Sequence, residues 1–274
     1  MPFVKIIRPF NCFFAALTVF FGAVYLAEVT NYTPIIFAVI SAVFIAAGGY
    51  VMNDFFDIPI DIINKPNRVL PSGKITPRAA YLYAVLLFIF GILFGFLTRN
   101  KYCVGVAIFN TFILFFYAKS FKKTILFGNI LVAYSAGSAF IYGGLVNNNF
   151  NKSLILAVFA FYYTLIREFI KDAEDISGDS KYNARTLAVV LGKKSIVWVS
   201  FVPFFAITAY TFILFFSHAV SVFTFTALLL LVIIPLSLFL FYLTQKNTIS
   251  DFAVISKYMK IDMFILLLIF FLRI

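Results

Sequence analysis

Charge is scarce in this 274-residue chain: charged residues make up 12%, acids number 11, and there are one histidine, one tryptophan and two cysteines. Cys12 and Cys103 both fall inside apolar runs. So placed, they offer neither a disulfide framework nor metal-ligand spacing, and they read as packing residues. With no His/Cys cluster a zinc centre is excluded. His218 lies in a short turn between apolar runs and reads as a turn residue, not a general base, since a base must reach the proton it removes. A soluble domain typically carries about twice this share of charge, so the chain cannot cover a water-exposed surface.

What is abundant is apolar. Hydrophobic residues reach 63%, aromatic residues 20% with 39 phenylalanines, and the mean hydropathy is +1.03. Long apolar runs recur along the chain, the pattern of many membrane crossings rather than one anchor. Runs near span length lie at 10–29, 33–52, 79–98, 102–118, 125–146, 153–170, 195–217, 219–243 and 254–272. The expectation is therefore an all-α polytopic membrane protein with nine transmembrane helices, forming one domain over 1–274. The fourth run is short, and the ninth opens on SKYMKID, whose charges must sit in the interface. The opening MPFVKIIRPFN is basic, but the run after it exceeds a signal-peptide core and is expected to stay in the mature chain.

Nine crossings put the N-terminal tail and the segments near 53–78, 119–124, 171–194 and 244–260 on one side. That side holds all but four of the 22 Lys and Arg, the exceptions being Arg99, Lys101, Lys152 and Arg273. The positive-inside bias makes it the cytoplasmic side. Topology thus accounts for most of the +11 charge and no nucleic-acid partner is called for.

Topology does not account for the acids. Eight of the 11 form two clusters: Asp54, Asp57 and Asp61 in NDFFDIPID, and Glu168, Asp172, Glu174, Asp175 and Asp179 in REFIKDAEDISGD. Each contains D-x-x-D-x-x-x-D. On a helix, steps of three, four and seven share a face, so each cluster presents a row of carboxylates, with Asn53 joining the first. Pro59 is expected to end or kink the first helix before Asp61. Bare carboxylates in a row repel unless a counter-ion joins them, and oxygen-only ligands favour Mg²⁺ or Ca²⁺, Mg²⁺ being commonly shared with substrate phosphates. Two facing rows would hold metal ions with a diphosphate between them.

Basic residues flank both clusters: Lys65, Arg68, Lys74 and Arg78 by the first, Arg167, Lys171, Lys181 and Arg185 by the second, with Lys119, Lys122 and Lys123 in YAKSFKK between. Arg offers a bidentate fork and Lys a point charge to an anionic leaving group. Lys74, Arg78, Lys193 and Lys194 are assigned to topology or lipid headgroups. Phe109, Phe112, Tyr117, Tyr134, Phe140, Tyr142 and Phe161 to Tyr163 are candidates to line an apolar groove, against ordinary packing. Asn110 and Asn129, within or near spans, should face protein or a polar chamber rather than lipid.

The stretch NDFFDIPIDIINKPNRVLPSGKIT resembles the first aspartate-rich motif of the UbiA superfamily of intramembrane prenyltransferases, and REFIKDAEDISGD resembles the second. RPFN at 8 to 11 and YAKSFKKTILFGN at 117 to 129 add independent matches in the same order. The resemblance implies a bundle around a central cavity with cytoplasmic cap loops, and Mg²⁺-dependent transfer of a polyprenyl group from its diphosphate. It places Asn53, Asp54, Asp57, Asp61, Asp172, Asp175 and Asp179 at metal and diphosphate positions. Arg68, Tyr117, Lys119 and Lys122 fall on the diphosphate side, with the spacing in YAKSFKK leaving open which lysine takes the family position, and Arg8 and Asn11 face the cavity. Arg167 and Lys171 are added as substrate-binding candidates, and Asp57, Asp175, Lys119, Arg68 and Tyr117 as the catalytic set.

The second motif is most similar to the archaeal ether-lipid branch. That implies geranylgeranyl diphosphate as donor and geranylgeranylglyceryl phosphate as acceptor, in a lipid membrane and without an obligate protein partner. Two alternatives remain at this point. One keeps the donor and metals but prenylates an aromatic acceptor, as in quinone synthesis. The other is a cation-coupled transporter, which should carry its key charges near mid-bilayer rather than at one face.

Overall fold

A computed structural model describes residues 1–181 and 185–272, without the side chains of Asn64, Lys123 and Lys181. Among the described residues the chain is helical with no strand. In chain order the helices are α1 (Pro2–Ile6), α2 (Pro9–Val24), α3 (Thr33–Phe56), α4 (Ile58–Asn64), α5 (Pro77–Leu97), α6 (Lys101–Lys119), α7 (Phe127–Val146), α8 (Phe150–Lys181), α9 (Leu187–Leu191), α10 (Lys193–Phe216), α11 (Val222–Leu228), α12 (Ile234–Gln245) and α13 (Ile249–Phe271). A 3₁₀ turn, Phe121–Lys123, follows α6. A π-helical turn, Leu229–Ile233, joins α11 to α12.

Seven of these segments are long and apolar enough to cross a membrane, α11 to α12 counting as one. Each of the nine expected runs falls on a helix, but two miss those criteria. The first, α2, has 16 residues, because Pro9 and the left-handed Arg8 (φ 53°) set its start and Tyr25 turns to extended backbone. The last, α13, carries Lys257, Lys260 and Asp262 within its length. Beyond the expected crossing at 153–170, α8 continues to Lys181, so the second aspartate row stands on the same helix. No proline interrupts that stretch, and Lys171 stands four residues before Asp175, a pairing that supports an exposed helical face.

Start signals are local. Thr76 Oγ1 accepts from Ala79 N–H at 3.2 Å with Pro77 next. Asn100 Oδ1 accepts from Tyr102 N–H at 2.9 Å. Thr248 and Asp251 form a reciprocal capping box at the head of α13.

The chain forms two compact units, residues 1–122 with 138–157, and residues 123–137 with 158–274. The first packs α3 against α2, α5 and α6 around Ala38, Ile45, Val51, Met52, Ala84 and Phe88. Small residues permit the close approach: a Cβ on Gly22 would meet the Phe140 backbone, and one on Gly143 the Val19 backbone. Polar atoms there are paired: Tyr142 Oη donates to Ser41 Oγ at 2.8 Å and Ser41 to Gly91 O at 2.6 Å. Cys12 and Cys103 are both buried. In the second unit Phe159 packs on Tyr210 and Phe270, and Tyr163 Oη donates to Asp262 Oδ2 at 2.6 Å. Pro235 follows the π turn; widening the preceding turn relieves the clash of its ring with the carbonyl four residues back.

Candidate active site

The first aspartate row belongs to the first unit. Asn53 and Asp54 ride on the last turn of α3, Asp57 forms the junction where α3 ends and α4 begins, and Asp61 lies on α4. Pro59 sits at the start of α4, so the helix breaks just before it, as its missing N–H requires. Asp54 and Asp61 are buried, at 7% and 4% exposure.

A row of carboxylates needs counter-charge, and here side chains supply it. Arg8 Nη2 donates to Asp54 Oδ1 at 2.5 Å. Arg68 Nη1 donates to Asp61 Oδ2 at 2.6 Å and reaches Asp54 Oδ1 at 3.4 Å. Lys122 Nζ donates to Asp57 Oδ1, while Asn53 Nδ2 donates to Asp57 Oδ2 at 2.9 Å. Carboxylates removed from water need charged, hydrogen-bonded partners, and here three segments far apart in sequence supply them. Arg8 is aimed by its left-handed backbone, with its guanidinium 5.2 Å from the Tyr50 ring centre. Arg68 is aimed by a folded turn: Val69, Leu70 and Ile75 are buried, Lys74 N–H donates to Val69 O at 3.1 Å, and Gly73 takes φ 71°, where a side chain is strained.

Of the two lysines left open in YAKSFKK, Lys122 reaches the aspartate row, and Lys119 is exposed at the end of α6. Tyr117 is half-buried on α6, and Asn11 is exposed on α2. Phe109 and Phe112 are exposed while Phe140 and Tyr142 are buried.

The second row belongs to the second unit and lies on one uninterrupted helix. Glu168, Asp172, Asp175 and Asp179 follow one another at steps of four, three and four along α8, one continuous face. Arg167 Nη1 donates to Glu168 Oε1 at 3.0 Å. Asn129 Nδ2, from the first turn of α7, donates to Asp172 Oδ2 at 2.9 Å. Asp175 and Lys171 are exposed; the side chain of Lys181 lies outside the described residues, as does that of Lys123. Among the described residues no group of three or more His, Cys, Asp or Glu converges to hold a metal unaided. The donors are hard oxygens on successive turns, a set that takes a small divalent cation when substrate phosphates complete the coordination.

Asn129, which sequence reasoning marks only as polar, meets the second row through Asp172. Asp262, expected as an interfacial charge, is buried and bonded to Tyr163. The GN pair closing the YAKSFKKTILFGN match was the available signal for Asn129. Nothing local signals Asp262, whose partner is 99 residues away.

Hard carboxylate oxygens with cations beside them, on a polytopic helical chain, are the groups that bind a divalent ion and a phosphorylated substrate. The family model for the UbiA prenyltransferase family matches residues 15–268, and the chain belongs to that family. It is similar to digeranylgeranylglyceryl phosphate synthase of Methanosphaera stadtmanae, 36% identical over 268 residues that cover 96% of each chain. A solved structure concerning digeranylgeranylglyceryl phosphate synthase in membranes superposes with a TM-score of 0.84 at 28% identity, covering 98% of this chain and 96% of that one. A UbiA homolog from Archaeoglobus fulgidus, solved with GPP and Mg²⁺, shares the fold, with a TM-score of 0.69 at 15% identity over 97% of this chain and 99% of its own.

Proposed function

We propose that this chain transfers a geranylgeranyl group from geranylgeranyl diphosphate to the hydroxyl of geranylgeranylglyceryl phosphate, forming the second ether bond of an archaeal membrane lipid precursor. Residues 1–274 act as one domain, α2 and α13 completing nine crossings with the seven longer segments, and the aspartate motifs and their cap loops face the cytoplasm. Family membership and similarity along nearly the whole length of the Methanosphaera stadtmanae relative support the reaction. The observation that carries the chemistry is the pairing of Asp54, Asp57 and Asp61 with Arg8, Lys122 and Arg68: carboxylates for a cation and cations for a diphosphate are held at one place.

Asn53, Asp54, Asp57 and Asp61, with Asp172, Asp175 and Asp179, are the residues that would hold Mg²⁺, the ion bound with GPP in the A. fulgidus relative. When bound it supplies Lewis-acid charge to the diphosphate oxygens. Arg68 and Lys122 exchange their carboxylate partners for oxygens of the diphosphate, so that neutralisation grows as the leaving group departs. Tyr117 and Lys119 take the diphosphate side with them. The allylic C–O bond breaks with its electron pair on the diphosphate. Apolar and aromatic side chains keep water from the allylic cation. The acceptor hydroxyl then attacks that carbon, forming the ether and releasing its proton to the departing diphosphate or to a carboxylate of the rows.

The test offers labelled geranylgeranyl diphosphate with geranylgeranylglyceryl phosphate, 4-hydroxybenzoate and a naphthoate to the chain in lipid with Mg²⁺. Ether product from the glyceryl phosphate is expected. Prenylated aromatic product alone would move the acceptor, and no product with any of the three would overturn the proposal.

A further inference from the structure

On α8 a second stripe runs beside the acidic one. Thr164, Arg167 and Lys171 follow at steps of three and four, and at 100° per residue their mean direction lies roughly 80° from that of Glu168, Asp172, Asp175 and Asp179. Two atoms of this stripe are anomalous. Thr164, at 5% exposure, has its Oγ1 buried without a hydrogen-bond partner among the described residues, and Arg167 Nε is buried in the same condition. A threonine or serine in a membrane helix ordinarily turns back to a carbonyl of its own helix, as Ser200, Thr208 and Thr211 do on α10 at 2.8 to 2.9 Å. Thr164 does not. Unmade hydrogen bonds in the interior are costly, and two of them one turn apart call for a ligand that satisfies both.

We propose that Thr164, Arg167 and Lys171 form a phosphate-monoester site that seats the head group of the acceptor, apart from the carboxylate rows that serve the diphosphate. The inference rests on the proposed reaction, in which the acceptor carries a phosphate. Glu168 takes Arg167 Nη1 and so fixes the guanidinium, leaving its Nε edge as the fork that matches two phosphate oxygens. Thr164 donates its hydroxyl from one turn below, and Lys171, exposed one turn above, adds a mobile charge toward the cytoplasm. The spacing suits the chemistry. On a glycerol backbone the reacting hydroxyl stands at most three carbons from the phosphate, so its site must lie beside the diphosphate site and not on top of it. Arg167 precedes Asp172 by five residues, about 7.5 Å along the axis. An aromatic acceptor without a phosphate gives these atoms no partner, so the stripe is a specificity element.

The test is equilibrium binding to the full chain in detergent, without donor and without divalent ion, of geranylgeranylglyceryl phosphate and of geranylgeranylglycerol, which lacks the phosphate. Inorganic phosphate serves as competitor. Wild type should hold the phosphorylated lipid at least about tenfold more tightly, a difference that Arg167→Gln abolishes and the isosteric Thr164→Val reduces several-fold, with binding of the alcohol unchanged in both. Inorganic phosphate should compete with the phosphorylated lipid alone. In the transfer assay Thr164→Val should raise KM for the acceptor and leave KM for geranylgeranyl diphosphate as it was. Equal affinity of wild type for the two lipids, losses falling equally on both, or a raised donor KM would overturn the site. Phosphate-dependent binding by a wild-type chain that transfers nothing would instead sink the reaction and leave the site standing.

Discussion

Asp57 is held from two sides, by Lys122 on one oxygen and Asn53 on the other. If Lys122 moves to the diphosphate as proposed, replacing it with Met should lower kcat/KM about 100-fold, near 2.7 kcal/mol, through loss of one preorganised charge; steady-state kinetics with varied donor reads this. Arg68→Ala acts on stability as well. It leaves buried Asp61 without its cation and Asp54 with Arg8 alone, so unfolding should become easier by about 3 kcal/mol, measured by chemical denaturation in detergent. The aspartates and their neighbouring cations were legible as motifs, since spacing alone puts carboxylates on a face. Their pairing was not. Arg8 meets Asp54 across 46 residues and Lys122 meets Asp57 across 65, and sequence separation carries no distance. Arg68 and Lys122, expected on the diphosphate side, rest on the carboxylates that would share that diphosphate, and the exchange between the two is part of the proposed reaction.

At the scale of elements, the apolar runs located every long helix, because a stretch that crosses hydrocarbon must satisfy its backbone internally. Ends were less legible. Proline and capping residues set the starts of α5 and α6, whereas α8 runs on through charged sequence that resembles a loop by composition. Packing was not legible at all, and glycine shows why: Gly22 meets backbone and Gly105 meets nothing within 4 Å, though both are single glycines in apolar runs. Gly22→Ala must therefore push two helix backbones apart and should destabilise by about 1–3 kcal/mol. Gly105→Ala, exposed within α6, should stabilise by about 0.5–1 kcal/mol. Thermal unfolding of the two variants in one detergent checks the opposite signs.

For the whole molecule, seven segments meet the length and hydropathy of a crossing, and the chain should resist alkaline extraction from membranes. The proposed nine crossings make a sharper claim. Single cysteines at Lys5 and at Asn31, which flank α2 and are both exposed, in a chain freed of Cys12 and Cys103, should label from opposite faces, and labelling from one face would remove that crossing. Chelation of divalent cations should stop transfer, and added Mg²⁺ should restore it. The central claim is that both aspartate rows serve one reaction, and the measurement that tests it most directly is ether formation from labelled geranylgeranyl diphosphate and geranylgeranylglyceryl phosphate by wild type, Asp57→Asn and Asp175→Asn, each verified as folded. The account predicts product from wild type and a loss of at least about 1,000-fold in either variant, since each row supplies charge that the transition state requires. Full activity in either variant would contradict it.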